Sequence, residues 1–390
     1  MNLLMALDAA LLVWGAAIGG TSARALLPRA TRRPKPARTP GTDVLLVRPC
    51  AGREPHLERT LTSTSELRDA DGVEVVFAVA SASDPALATA HLAAERARGR
   101  GVDASVQVTT RGGPNNKACQ LAAVLGSRPS RPIVVVVDSD VDLTGVSLAE
   151  LVAPIRAAAN VGAVWAPPIE APHAPTLGDR VSASVLGASL HAFHVLAKLD
   201  GGGMVGKCFA VRRDALDRTG GFDALRDVLG EDVELASRLR SLGLTIVSAP
   251  FTVRSRAAGR SVPDVVARLG RWLSVVRAQR PALLPSYPLL FAATLPLLLV
   301  ALATGGRLAA VVAATIALIS RFGVAHVASR QARLSPPSVG LVFAADLVLL
   351  AAFARALRSR RITWRSRELE ITPGGRLVEP VAGRAQTTAS

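Results

Sequence analysis

Two kinds of apolar pattern divide the chain. Residues 3–23 form an apolar run broken only by Asp8, about long enough to cross a bilayer. Three more runs lie near the end: residues 283–304, residues 308–327 interrupted by Arg321, and residues 339–354 interrupted by Asp346. Between them, from about residue 43 to residue 261, short β-branched runs alternate with Ala/Leu/Arg stretches of helical period. That alternation predicts an α/β domain: a mostly parallel, Rossmann-like sheet covered by helices. Strands are expected at residues 44–48, 73–80, 104–108, 133–137, 163–166 and 208–211. Helices are expected at residues 54–63, 85–98, 117–125, 147–158, 179–197, 214–219, 232–242 and 262–280. The resulting division is an anchor (1–24), a catalytic-type domain (40–260), an interfacial helix (261–282), membrane helices (283–356) and a basic tail (357–390).

Charge orients these pieces. Arg24, Arg29, Arg32, Arg33, Lys35 and Arg38 follow the first run with no acid among them. The positive-inside rule places this side in the cytoplasm and the N-terminus outside. A cleaved signal peptide is the rival reading, but it wants a basic start and this one is acidic. Residues 31–40, rich in Pro and Arg, read as a linker. The tail carries Arg355, Arg358, Arg360, Arg361, Arg365 and Arg367. Three complete C-terminal spans would put that tail outside, against the rule. One run is therefore expected to be re-entrant or interfacial. The run with Arg321 has only about thirteen uninterrupted apolar residues, so it or its neighbour is the candidate. Asp346 is expected to pair with Arg321 or another basic side chain, or to point towards an acceptor route.

Composition narrows the class. An apolar share of 49% with only 19% charged residues excludes a disordered chain and sits poorly with a wholly soluble one. Lys+Arg number 46 against 30 Asp+Glu, a net +16. Such an excess serves nucleic acid, anionic lipid or a phosphorylated substrate. No nucleic-acid motif is present, and the charge flanks the apolar runs. It reads as contact with an anionic bilayer surface, with a nucleotide as second beneficiary. Cys50, Cys119 and Cys208 are far apart and form no CxxC pair, which fits a reducing compartment.

In such sheets ligands bind beyond the carboxyl ends of the strands. The strand at 133–137 stops in Asp138-Ser139-Asp140. Residues i and i+2 of an extended chain point to one side, so the two carboxylates make a hard oxygen site for Mg²⁺ or Mn²⁺ holding a diphosphate. The bland alternative is a solvated loop. Asp84, in Ser83-Asp84-Pro85, reads by itself as a helix cap. Glu231-Asp232 follows Gly220-Gly221-Phe222 and reads as a pair of dipole partners in a first helical turn. Arg268-Leu269-Gly270-Arg271-Trp272 reads as an interfacial helix with snorkelling Arg and a Trp anchor, still able to reach a diphosphate.

In this order the motifs resemble a processive-type inverting glycosyltransferase. More closely, the chain resembles the ceramide glucosyltransferase family (glycosyltransferase family 21) and its bacterial hopanoid-associated relatives. The matching stretches are VLLVRP at 44–49, VEVVFAVASASDP at 73–85, GPNNK at 113–117, DSDV at 138–141, GKCFAVRR at 206–213, GED at 230–232, RLGRW at 268–272 and ITWR at 362–365. The resemblance implies a GT-A fold with membrane helices at both ends. It implies an integral, multi-pass protein of the bacterial inner membrane with a cytoplasmic catalytic domain. The implied reaction moves a hexose, glucose before galactose or N-acetylglucosamine, from a UDP-sugar to a lipid hydroxyl, that of ceramide, with hopanoid or diacylglycerol as the alternative acceptor. Asp232 would be the catalytic base. Asp84 would hold the nucleoside side of UDP, and Asn115 and Lys117 would lie in the donor pocket. Asp138 would sit by the ribose and diphosphate, and Asp138 and Asp140 by the metal. Arg268, Arg271 and Trp272 would close over the diphosphate. One base without a second carboxylate nucleophile fits inversion. Cys119 and Gln120 stand where the family often has Asn, and Val233 where an aromatic residue is usual. A non-catalytic scaffold or transporter, the reading from a different class, leaves the α/β domain unexplained.

Overall fold

A computed structural model describes residues 3–27, 43–110, 112–128, 131–364 and 367–379. The linker expected at 31–40, its flanking basic residues from Arg29 to Arg38, and Arg365 lie outside the described residues. The chain begins with helix α1 (Leu3–Leu26). Next come β1 (Val44–Cys50), α2 (Leu57–Thr62), β2 (Glu74–Val79), α3 (Ala86–Arg98), β3 (Asp103–Val108), α4 (Asn116–Gly126) and β4 (Ile133–Val137). They are followed by β5 (Val141–Asp142), α5 (Leu148–Ala157), β6 (Val161–Trp165), β7 (Pro168–Glu170), α6 (Leu177–Gly187) and α7 (Phe193–Leu199). The domain closes with β8 (Cys208–Arg212), α8 (Arg213–Arg218), α9 (Glu231–Ser241), β9 (Thr245–Ser248), β10 (Val253–Ser255) and α10 (Val262–Gln279).

The central sheet has the order β3-β2-β1-β4-β8-β6-β9, and β8 alone runs antiparallel to its neighbours. Side chains alternate between its two faces, as the two-residue period of a strand requires. Leu45, Val47, Val76, Ala78, Val134 and Val136 enter one core, while Val44, Leu46, Val75, Phe77, Val135 and Val137 enter the other. Both faces are covered, which is why these strands read as continuous apolar runs. The first core continues through Val185, Leu269 and Leu273 to Phe291, Val324 and Leu349. One face of the sheet is thereby packed, layer by layer, onto the apolar helices.

The helix expected over 179–197 is two helices, α6 and α7. Ser189 breaks it: its hydroxyl donates to the carbonyl of Val185 at 2.7 Å and accepts from the His191 N–H at 3.2 Å. Such local bonds compete with the helical ladder. The basic tail is also more than a tail. Strands β11 (Arg361–Trp364), β12 (Arg367–Ile371) and β13 (Leu377–Val378) form a small antiparallel sheet after the last helix. It docks on the domain: Leu377 N donates to Asp227 O (2.6 Å) and Leu229 N to Gly375 O (2.9 Å).

The C-terminal helices are α11 (Thr294–Ala303), α12 (Leu308–Ala332) and α13 (Val339–Arg358). Helices α1, α12 and α13 are each long and apolar enough to span a membrane. The segment Pro281–Phe291 is bent by 57° against α11. The run containing Arg321 is one unbroken helix, and the bend falls in the run before it. Helices α1 and α12 run side by side in the same direction: Asp8 pairs with Arg307 at 2.5 Å, and Gly15 lies against Ala313. A Cβ on Gly15 would come within 2.9 Å of the Ala313 Cα, so only glycine permits that approach. Arg321 and Asp346 pair at 2.5 Å, both buried.

Candidate active site

The turn after β4 is fixed from below by Arg48, a β1 residue with no exposed surface. Its guanidinium donates to the carbonyls of Thr60 (2.6 Å), Val141 (2.6 Å) and Asp138 (3.1 Å), and to the Thr64 hydroxyl (2.8 Å). Burial pulls its pKa down to about 10, and it stays a cation at neutral pH. From the side, Asp138 N donates to Lys207 O at 2.8 Å, extending the β4–β8 ladder one residue. Ser139 donates to Glu54 at 2.5 Å. The backbone carrying Asp138 and Asp140 is thus held on three sides.

Opposite charges alternate across this end of the sheet. Lys207 Nζ lies 2.8 and 2.6 Å from the two Asp140 oxygens and 3.4 Å from Asp138 Oδ2. Asp138 Oδ1 is 2.7 Å from Lys117 Nζ, which also meets Glu231 Oε1 at 3.0 Å and donates to Gly206 O at 2.8 Å. Asp140 further accepts from Ser255 Oγ at 2.8 Å. Burial opposes the charge on Asp140, but Lys207 outweighs it and holds the carboxyl below its usual range. Glu231 is likewise held low by Lys117 against its burial. The two aspartates surround one cationic centre with hard oxygens. That donor set fits a divalent ion of the Mg²⁺ type, which takes one or two carboxylates and completes its shell with phosphates and water. Among the described residues no group of three or more His, Cys, Asp or Glu could hold a metal by itself.

Asp232 stands apart. It is the second residue of α9, and its Oδ2 accepts the Gly206 N–H at 2.7 Å. Burial, and then the charge of Glu231, push its pKa up to about 6. Gly206 packs tightly beside it: a Cβ there would lie 3.0 Å from the Asp232 Cβ, so the aspartate would have to give way. Glu231 is committed to Lys117 and to Asn115 Nδ2 (3.2 Å). The pair therefore supplies one carboxyl poised to titrate and one fixed as a counter-ion.

The structure brings Asn115, Lys117, Asp138, Asp140 and Asp232 into one contact network. Asn115 is fully buried. Its oxygen caps α4 through Ala118 N at 3.1 Å, and its amide holds Val228 O and Glu231 from behind. Asp84 lies in the turn between β2 and α3, its Oδ1 accepting from Gly52 N (2.7 Å) and Ala86 N (2.9 Å). Arg268 bonds Glu170 at 2.5 Å and Ser182 at 2.7 Å, and its guanidinium lies 4.9 Å from the Trp272 ring centroid. Trp272 turns into an aromatic cluster with His191 and Phe193, between the domain and the apolar helices. Arg271 is half-buried on the same helix.

Sequence reasoning missed Lys207, Gly206, Arg48 and Glu170. Gly206 and Lys207 lie directly before β8, and only the antiparallel pairing of β8 with β4 brings them to Asp138. Arg48 could have been flagged as an arginine inside an apolar strand. Gln120 explains itself: its amide donates to Cys50 O (2.7 Å) and Ala78 O (2.9 Å), tying β1 to β2.

The sequence model for glycosyl transferase family 21 matches residues 9–377. The chain belongs to glycosyl transferase family 21. As a family 21 member it is a glycosyltransferase, and its fold is GT-A: a mostly parallel α/β sheet with apolar helices at both ends. No curated protein matches it. Among solved structures, it is similar to a mannosyltransferase from Pyrobaculum calidifontis in complex with GDP-Man and Mn²⁺. That likeness has 18% identity and a TM-score of 0.51, covering 90% of this chain and 99% of the other. Glucosyl-3-phosphoglycerate synthase from Mycobacterium tuberculosis, in complex with Mn²⁺, UDP and phosphoglyceric acid, matches at 20% identity. It covers 60% of this chain and 78% of its own, with a TM-score of 0.35.

Proposed function

We infer that this family 21 enzyme is membrane-bound and inverting, and moves glucose from a UDP-sugar to the hydroxyl of ceramide. The observation that carries the reading is Asp232, a carboxyl with a pKa of about 6 beside two acids gathered round one cation. A base near that pKa is half-deprotonated close to working pH and can take a hydroxyl proton as the C–O bond forms. Glu231 is locked to Lys117 and cannot serve as a second nucleophile, so attack comes directly from the acceptor and the anomeric centre inverts. Lys117 and Arg268 bring positive charge towards the departing diphosphate. Asp138 and Asp140 would hold Mg²⁺ or Mn²⁺, which neutralises the charge developing on UDP when bound.

A lipid acceptor is supported by the packing of the sheet onto apolar helices. Leu12, Val13, Leu299, Leu302, Val311 and Ile319 point outward from α1, α11 and α12. Such a belt of exposed apolar side chains fits lipid. In this reading α1, the bent segment with α11, and α12 cross the membrane. Helix α13 stays on the domain's side: Ser184 of α6 donates to Leu341 O near its start (3.1 Å), and Arg277 of α10 donates to Leu357 O near its end (3.1 Å). Both α13 and the tail then lie on the cytoplasmic face, as the positive-inside rule asks.

Two outcomes check the chemistry. Activity should vanish in EDTA and return with Mg²⁺ or Mn²⁺, and Asp140→Ala should lower donor affinity and rate together. Full turnover by protein shown to be metal-free would contradict the metal reading. The rate should fall as pH drops through about 6, because Asp232 must be deprotonated to act. Glu231→Gln removes a neighbouring negative charge and should move that acid limb to lower pH; a kcat/KM profile that stays in place would contradict the assignment. The acceptor is tested by incubating purified full-length protein and UDP-glucose with ceramide, hopanoid or diacylglycerol in detergent. Glucosylceramide is the expected product; transfer to hopanoid or diacylglycerol alone would replace ceramide as acceptor.

A further inference from the structure

We propose that Lys207 is a resident counter-ion that keeps the divalent site closed until the donor diphosphate arrives. The inference rests on the nucleotide-sugar reading above and concerns how that site is regulated.

Lys207 is not a loose surface lysine. It sits directly before β8, its carbonyl accepts from Asp138 N at 2.8 Å, and the β4–β8 register fixes it opposite the end of β4. From that anchor its ammonium reaches both Asp140 oxygens, at 2.8 and 2.6 Å, and Asp138 Oδ2 at 3.4 Å. Asp138 and Asp140 are the same two carboxylates that would hold the metal. The other Asp138 oxygen is held by Lys117 at 2.7 Å, and Lys117 is tied in turn to Glu231 and Gly206. Lys117 is therefore not available to trade places. The two lysines thus neutralise both acids from within the chain.

A divalent ion entering beside Lys207 would meet a like charge at close range in a site with little solvent. Entry requires the ammonium to leave, and leaving is costly while nothing else accepts it. A diphosphate changes that balance, because its oxygens offer Lys207 a new anionic partner within the same pocket. The ammonium then moves from carboxylate to phosphate, and Asp140 and the Oδ2 atom of Asp138 are released to the metal. Metal and donor each favour the other's binding, and that coupling is reciprocal.

The test is binding of MnCl₂ to full-length protein in detergent, read from the free-Mn²⁺ EPR signal, with and without UDP. UDP binding is measured separately by calorimetry. Wild-type protein should bind Mn²⁺ weakly alone and about tenfold or more tightly with saturating UDP. Lys207→Met and Lys207→Gln should bind Mn²⁺ alone about tenfold more tightly than wild type, with the UDP effect reduced by a similar factor. Lys207→Arg keeps the charge and should behave like wild type. A thermal melt identifies any variant that fails to fold, and two neutral variants with one charged control keep the comparison open. Equal Mn²⁺ affinity in wild type and the neutral variants, with UDP binding intact, would overturn the proposal. Absence of UDP binding by wild-type protein would instead overturn the donor reading, and this proposal with it.

Discussion

Asp232→Asn should keep UDP-sugar binding within a few-fold and lower transfer by roughly 10² or more, the scale of a lost general base. The substitution is nearly isosteric, and the amide oxygen can still accept from Gly206 N, which now sits 2.7 Å from the carboxylate. The loss therefore falls on proton transfer and not on the fold of α9. Asn115, Lys117 and Glu231 keep their mutual contacts, because none of them bonds the Asp232 side chain. Near-normal turnover by this variant would remove Asp232 from the mechanism. A matching loss of donor binding would point to a structural role.

The second large effect is expected far from that site. Asp346→Leu should destabilise the protein by about 3–5 kcal/mol, because it leaves Arg321 as an uncompensated buried charge. The pair does more than neutralise itself. Arg321 Nη1 donates to Phe291 O at 2.9 Å, and Asp346 Oδ2 accepts from Leu295 N at 3.1 Å. Those backbone groups flank the bend between Pro281–Phe291 and α11, where helical bonding is interrupted. Groups freed by a bend in an apolar surround must be satisfied by a neighbour. Replacing both partners, Arg321→Met with Asp346→Leu, should recover part of the loss, since no orphan charge remains. Thermal melts in one detergent read all three proteins. An unchanged melt for Asp346→Leu would show the pair to be dispensable, and a double variant no better than the single one would shift the burden to the backbone bonds.

Much of the fold was legible because its strands are buried on both faces. Residues 133–137 read as a strand, and the structure places one there because no face of Ile133–Val137 meets water. The short strands β7, β9 and β10 were missed, since three or four residues give too little period to count. The break between α6 and α7 was missed because it depends on one serine bonding its own helix. Asp138 and Asp140 were legible as acids at a strand end and Asp232 as one in a first helical turn, and the contacts of Lys117, Lys207 and Gly206 link all three. Their counter-ions were not: Lys207 reaches them only through an antiparallel pairing of β4 with β8 that a parallel-sheet expectation did not contain. Among the apolar runs, length alone pointed to the one with Arg321 as irregular, but that helix is unbroken and the bend lies in the run before it.

The most direct measurement is the stereochemistry of the product. Purified full-length protein is given α-configured UDP-glucose and ceramide in mixed micelles, and the anomeric proton of the glycolipid is read by NMR. Attack by the acceptor with Asp232 as the single base predicts a β-linked glucosylceramide, formed by wild type and lost with Asp232→Asn. An α-linked product would contradict the one-base account, because it requires a second displacement or a nucleophile that Glu231, locked to Lys117, is not free to supply.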